Sequence, residues 1–315
     1  MSEPGGESLG SLSTEQVRPE LRDLDRMPVD QLVALMTADA RRAPEVVVSA
    51  SGPIARAVDG IVERLERGGR LVYVGAGTAG RLGVLDASEA RPTFNVPPGQ
   101  VVAVLAGGMA AFSDPVEDAE DDTTAAVAAL EALGVTAADA VVGISASGQT
   151  PYVLTALDWA RSHGALTIGV ACNVGAPLTS QVDVAIELPV GPEFIAGSTR
   201  LNAGTAQKIV LNILSTATMV RLGKTYGNLM VDVRANNEKL RDRAARIVSE
   251  ITGASGAGAR AALEASDWET KVAVLMLTGG IDEQNARARL DRMHGRLRAA
   301  LEALTADPDQ QGEQP

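Results

Sequence analysis

Short apolar runs rich in β-branched residues recur along the chain: LVYV (71–74), VVAVLA (101–106), AVVGIS (140–145), LTIGVAC (166–172) and VDVAIEL (182–188). Stretches of helical character lie between them, at 79–90, 114–133 and 150–163, and a long one follows near 198–222. Strands alternating with helices imply βαβ crossovers and a parallel sheet covered on both faces. The expected fold is therefore α/β, a doubly wound parallel five-stranded sheet.

Upstream, Val29 to Arg67 reads as two helices, the second (IARAVDGIVERLERGG) carrying apolar residues at helical spacing and ending on a glycine pair. Downstream, residues 237–305 read as entirely helical: a short helix ending near Ile251, then TGAS as a cap, DWETKVAVLML, and DEQNARARLDRMHGRLRAALEAL. That pattern predicts a small three-helix module. The polar, turn-rich ends, residues 1–13 and 306–315, are expected to be disordered.

Composition narrows the function. A chain of 315 residues that is 45% hydrophobic can bury a large core, one sizeable domain plus an appendage. The net charge of −12 comes without a basic run, which excludes nucleic acid as a partner and leaves small, locally held anions. The lone Cys172 forms no intrachain disulfide, and with only two histidines no metal site is expected. The apolar run Val101 to Phe112 is too short to span a bilayer, so a soluble, cytoplasmic protein without a membrane partner is expected. His163, His294 and Cys172 read as structural.

Two loops carry candidate chemistry. In GAGTAGR, residues Gly75, Gly77 and Gly80 satisfy the dinucleotide spacing G-x-G-x-x-G between a strand and a helix. A dinucleotide site also needs an acid at the end of the next strand, and VVAVLAGGM ends in glycines and methionine. No nicotinamide and no other cofactor is expected. The second loop, Ser145-Ala146-Ser147-Gly148-Gln149-Thr150 before Pro151, offers hydroxyls and backbone N–H groups at a helix start, which suit a phosphate.

Two acids stand out. At 100° per residue, Glu120 falls about 40° from Val116 on the predicted third helix, nearest its apolar stripe among the acids of SDPVEDAEDD. A carboxyl desolvated there has the raised pKa of a general acid or base; a solvated rim glutamate is the alternative. Glu89 stands just before Arg91-Pro92, where proline is expected to stop the helix. The helix dipole disfavours a carboxylate there, so it either pairs with Arg91 or serves chemistry.

Four longer stretches, YVGAGTAGRLGVLDASEARPT, VVGISASGQTPYV, GSTRLNAGTAQKIVLN and YGNLMVDVRANNEKL, closely resemble the N-acetylmuramic acid 6-phosphate etherases, which carry the sugar isomerase (SIS) domain. The likeness runs from about Thr14 to Leu304. It implies cleavage of the lactyl ether of N-acetylmuramic acid 6-phosphate to N-acetylglucosamine 6-phosphate and D-lactate in cell-wall recycling, with water as the only co-substrate. It also implies Glu89 and Glu120 as catalytic residues, one acid and one base. Phosphate is implied on Gly77, Thr78, Ser145, Ser147, Gly148, Gln149 and Thr150, with Lys208 as a point charge and Asn202 and Arg200 as weaker candidates. Arg81 is expected to brace the first loop. Two departures from the family pattern concern that phosphate: Ala79 replaces a frequent serine, and Asn202 stands where lysine is common.

The implied organisation is a disordered start (1–13), an N-terminal helical extension (14–60), the SIS domain (61–224), a UBA-like helical module (225–305) and a tail (306–315), assembled as a homodimer. Competing readings are a sugar-phosphate-binding regulator of the glucokinase-regulatory-protein type and a SIS aldose–ketose isomerase. Retention of both glutamates speaks against the first, and the muramate-type motifs with the C-terminal module against the second.

Overall fold

A computed structural model describes residues 12–233, 235 and 237–306. Most of the expected disordered ends, residues 1–11 and 307–315, lie outside the described residues. The chain divides into two compact units, Met1–Ser88 with Pro98–Thr218 and Glu89–Pro97 with Met219–Pro315.

The first unit is built on a five-stranded sheet of β1 (Leu71–Gly75), β2 (Val101–Leu105), β3 (Ala140–Ser145), β4 (Leu166–Ala171) and β5 (Val184–Glu187). Their order is β2-β1-β3-β4-β5, and every pairing is parallel. The five apolar runs are these strands. All residues of β1 and β3 are buried, as strands covered on both faces require, whereas the edge strands β2 and β5 are partly open.

Alternate residues of β1 face opposite layers. Val72 and Val74 join the cluster formed with Ala126 and Leu130 of α6 (Thr123–Leu133) and Val153, Ala156 and Leu157 of α7 (Pro151–Ser162). Tyr73, on the other face, meets Gly83 of α4 (Gly77–Phe94). The helix approaches the strand at Gly75 and Gly80, where a Cβ on Gly80 would stand 2.5 Å from the Gly75 carbonyl oxygen. Only glycine permits that distance, so the spacing read as a dinucleotide fingerprint serves packing here.

Over Val29 to Arg67 the chain forms three helices rather than two: α1 (Val29–Asp39), α2 (Arg42–Ser49) and α3 (Ser51–Glu66). α3 buries Ile54, Ile61 and Leu65 and packs on β4 and β5. The short α5 (Ala110–Ser113) follows β2, the short α8 (Pro177–Ser180) lies between β4 and β5, and α9 (Asn202–Arg221) closes the unit's order of elements.

Two helix boundaries differ from expectation. The helix predicted over 114–133 starts only at Thr123, because Asp122 caps it by accepting from the Ala125 N–H (2.9 Å), while residues 117–121 form a turn with Asp118 at φ 58°. α4 does not stop before Pro92. A proline in the last turn forfeits one N–H, and the helix ends at Asn95, which adopts φ 50° and donates its N–H to the Arg91 carbonyl at 2.9 Å.

Among its described residues from 237 onward the second unit folds as five helices instead of three: α10 (Glu238–Thr252), α11 (Gly256–Ala265), α12 (Thr270–Gly279), α13 (Glu283–Arg292) and α14 (Leu297–Ala306). Ala244, Val248, Leu263, Val272, Leu275 and Leu297 lie in its core. The last predicted helix is split where His294 and Gly295 adopt φ 51° and 72°, a left-handed pair that α-helix does not pass through. Ser255 and Asp282 cap α11 and α13.

The N-terminal ends of β1 and β3 are locked together by one buried carboxylate. Asp139, 2% exposed, accepts from the Arg70 backbone N–H (2.8 Å), from Arg70 Nε and Nη2 (3.0 and 2.8 Å) and from the Thr136 N–H (2.9 Å). Burial alone would raise its pKa, but the Arg70 guanidinium and these N–H donors outweigh it and hold it below the ordinary value. Removing one partner of a buried pair costs about 3 kcal/mol or more. Asp139→Ala is therefore expected to lose about that much stability in urea unfolding at pH 7. A depressed folded-state pKa stabilises fully above the unfolded value of about 3.9, so the gap to wild type should shrink as pH falls below it; a pH-independent gap contradicts the assignment.

Candidate active site

Strand order reverses between β1 and β3, so the loops leaving their C-terminal ends diverge and open a crevice, the place where α/β sheets bind ligands. The first turn of α4, directly after β1, supplies Gly77, at φ 51° and exposed, and the half-buried Thr78. A Cβ on Gly204 of α9 would stand 3.4 Å from Thr78 Cγ2, so the start of α9 lies against this turn. Ala79 is buried at 7% exposure.

The β3 loop brings three hydroxyls together. Ser145 Oγ lies 2.8 Å from Thr150 Oγ1 and 3.2 Å from Ser147 Oγ, and it accepts from the Gly148 N–H at 3.0 Å. Ser147 Oγ accepts from the Gln149 N–H at 3.1 Å. The free N–H groups expected at the helix start are largely committed: Val153 and Leu154 donate to the Thr150 carbonyl at 3.0 Å, and Pro151 has none to give. What the loop offers an anion is a cluster of rotatable hydroxyls, whose mutual hydrogen bonds a phosphate can replace.

Tyr152 donates its N–H to the backbone carbonyl of Glu120 at 2.9 Å. This bond ties the turn carrying Glu120 to the first turn of α7, beside the serine loop. The turn also packs on Gly107, where an added Cβ would stand 3.0 Å from Val116 Cβ and 3.2 Å from Ala119 Cβ. Glu120 is on a turn rather than a helix, and it is exposed. The desolvation inferred from helical phase is thus absent, because the phase belonged to a helix that does not form there. Glu89 lies on α4 and is likewise exposed.

The remaining candidates separate by their partners. Arg81 Nε donates to the carbonyls of Ala111 (3.1 Å) and Phe112 (2.9 Å), which braces α5 rather than its own loop. Asn202 is 4% exposed and its Nδ2 donates to Asp39 Oδ2 at 2.7 Å, so its amide is engaged. Glu193, 1% exposed, caps α9 by accepting from the N–H groups of Asn202 (3.0 Å) and Ala203 (2.8 Å). Arg200 is exposed and Lys208 half-buried. Cys172 is fully buried, with its thiol pKa pushed up by burial, and His163 stacks on Trp159 at 3.8 Å.

One group escaped the sequence reading. Asp86 on α4 accepts from the buried Tyr73 hydroxyl (2.8 Å) and from Ser215 Oγ on α9 (3.1 Å). Burial raises its pKa, against the pull of those two donors and of the Lys208 charge. Gly83, Asp86 and Ala90 share one face of α4 at i, i+3 and i+7, a face on which Gly83 and Ala90 are buried and Asp86 is half-buried.

The model of the glucokinase regulatory protein N-terminal SIS domain matches residues 53–161, and the SIS domain model matches residues 112–217. The chain is 53% identical over 295 residues to an N-acetylmuramic acid 6-phosphate etherase of Streptomyces avermitilis, covering 94% of this chain and 95% of that one. It is 56% identical over 295 residues to the enzyme of that name from Rubrobacter xylanophilus, covering 94% and 97%. Among solved structures, a phosphoheptose isomerase from Francisella tularensis aligns with TM-score 0.50 and 20% identity, covering 62% of this chain and 100% of that one, a likeness of fold.

Titration of Asp86 checks the buried network. Its side-chain carbon signal should titrate above the ordinary aspartate value of about 3.9, and higher still in Tyr73→Phe, which loses a donor to the carboxylate. A raised folded-state pKa also means that the group's contribution to stability falls as pH rises from about 3.9 towards that pKa. A midpoint at or below the ordinary value overturns the account.

Proposed function

The chain belongs to the N-acetylmuramic acid 6-phosphate etherase family, and on that premise we propose that it cleaves the D-lactyl ether of N-acetylmuramic acid 6-phosphate. The products are N-acetylglucosamine 6-phosphate and D-lactate, and the setting is amino-sugar recycling from the cell wall, in the cytoplasm. The observation that carries this reading is 53% and 56% identity to relatives of that name over 94% of the chain.

The chemistry needs no more than two carboxyl groups and water. In the open-chain sugar the C1 aldehyde acidifies the C2 proton. Glu120, as carboxylate, takes that proton, and Glu89, as carboxylic acid, protonates the lactyl oxygen leaving C3. The β-elimination gives D-lactate and an unsaturated aldehyde. Water then adds at C3 with the two roles reversed, which restores both glutamates and completes a net hydrolysis. Both side chains are exposed, as groups that meet a diffusing substrate must be. The phosphate is held by Gly77, Thr78, Ser145, Ser147, Gly148, Gln149 and Thr150, with Lys208 supplying positive charge. The hydroxyl cluster of the β3 loop supports that role.

In this reading residues 61–224 are the substrate-binding SIS domain, flanked by the helical extension 14–60 and the UBA-like module 225–305. Among the described residues no helix is long and apolar enough to cross a membrane. The chain works as a homodimer: Val29, Val33 and Met36 form an exposed apolar stripe on α1, at 74%, 58% and 43% exposure. Sedimentation should give twice the 32.5 kDa chain mass, and a monomer contradicts this part.

The match to the glucokinase regulatory protein domain favours a second reading, a regulator that binds sugar phosphates without cleaving them. Incubation with N-acetylmuramic acid 6-phosphate decides between them. The etherase reading predicts D-lactate equimolar with amino sugar, and water-derived heavy oxygen at C3. Tight binding without lactate supports the regulator. Glu89→Gln and Glu120→Gln should each lower kcat about 10²-fold or more with unchanged melting temperature, and normal turnover in either removes that residue from the mechanism.

A further inference from the structure

The second unit contains a cavity of about 430 Å³ lined by Asn95, Asp232, Arg241, Trp268, Thr270 and Lys271, among others. That volume falls in the range of small-molecule sites. The start of α12 contributes Thr270 and Lys271 to the lining. Glu269 precedes that helix without capping it, and its carboxylate is drawn instead to Arg287 Nη1 at 2.5 Å. The helix therefore begins with backbone N–H groups that no side chain of the described residues caps.

Three side chains make this more than a bare helix end. Thr270 is 2% exposed, and its Oγ1 has no hydrogen-bond partner among the described residues. Arg241 stands 4.8 Å above the Trp268 ring and forms no ion pair among the described residues. Lys271, 6% exposed, holds Asp232 Oδ2 at 2.9 Å and the Gly295 carbonyl at 2.8 Å, while Lys224 reaches the same carboxylate at 2.9 Å. One acid is thus shared by two ammonium groups. Of the lining acids, Asp232 is held by the two lysines and Glu269 by Arg287, which also serves Glu283; Asp267 remains, and against it stand Arg241 and the positive end of α12.

We propose that this cavity is a second ligand site, which takes a small oxyanion, a carboxylate or phosphate group, on Thr270 Oγ1, the first N–H groups of α12 and Arg241, whose guanidinium, like that of Arg260 at 5.9 Å, lies over the Trp268 ring. A buried hydroxyl without a partner and an uncapped, buried helix start both lack acceptors, and an oxyanion provides several at once. A guanidinium stacked on an indole keeps N–H donors available to such a group. Nothing in the etherase chemistry calls on these residues, so the site stands independently of that reading.

The chain has two tryptophans, Trp159 and Trp268, so Trp159→Phe leaves Trp268 as the only one. Its emission is followed while inorganic phosphate or sodium D-lactate is titrated at constant ionic strength, with chloride as the balancing ion. The expected result is a saturable change with at least one of the two oxyanions. Its midpoint should shift at least tenfold upward on adding Arg241→Gln or Thr270→Val, and it should survive Ser147→Ala in the β3 loop of the first unit. Melting temperatures check that each variant is folded. No saturable change beyond chloride, an unchanged midpoint in both cavity variants, or loss of the signal in Ser147→Ala each overturns the proposal. Emission is read rather than lactate, so failure here leaves the etherase reading untouched, and the converse.

Discussion

The hydrogen bond from the Tyr152 N–H to the Glu120 carbonyl is the constraint on which the candidate site depends. Glu120 follows β2 and Tyr152 follows β3, and these strands flank β1 on opposite sides. The bond therefore spans the point where the sheet's winding reverses. It uses one of the few N–H groups of a helix start that proline has already thinned, and it fixes the backbone of an acid whose side chain stays free for solvent and solute. The close packing of Val116 and Ala119 on Gly107 holds the same turn from below.

The two ends of the sheet are built for different purposes. At the N-terminal end the polar groups pair inward, with Asp139 taking four N–H donors from Arg70 and Thr136. At the C-terminal end three hydroxyls gather in one loop with bonds that a stronger acceptor can displace. α9 is served by a third arrangement: Glu193 caps its start, Asn202 is tied to Asp39, and Asp39 is in turn held by Arg18 and Arg42. The N-terminal end of the sheet thus carries a fixed ion pair, and the C-terminal end carries adaptable hydroxyls.

Much of the fold was legible because buried parallel strands must be apolar along their whole length, and those runs stand out against helical stretches. The boundaries that failed did so for local reasons. Over 114–122 an apolar phase coincided by chance with a turn, while the real helix signal was the Asp122 cap. At Pro92 a single lost N–H was too little to end a helix. The break at His294 and Gly295 leaves the apolar phase nearly intact and hides from periodicity. In the site, loops dense in glycine and serine announced themselves. Asp86 did not, since its burial depends on α9, more than a hundred residues away in sequence, and on the Tyr73 hydroxyl beneath it.

The central claim is that the crevice between β1 and β3 receives the sugar's phosphate on the hydroxyls of the β3 loop. A crystal structure of the protein soaked with N-acetylglucosamine 6-phosphate tests it directly. The account predicts phosphate oxygens within about 3 Å of Ser145, Ser147 or Thr150 hydroxyl oxygens, with their present mutual hydrogen bonds opened. A phosphate bound at the opposite end of the sheet, or only in the cavity beside Trp268, contradicts it.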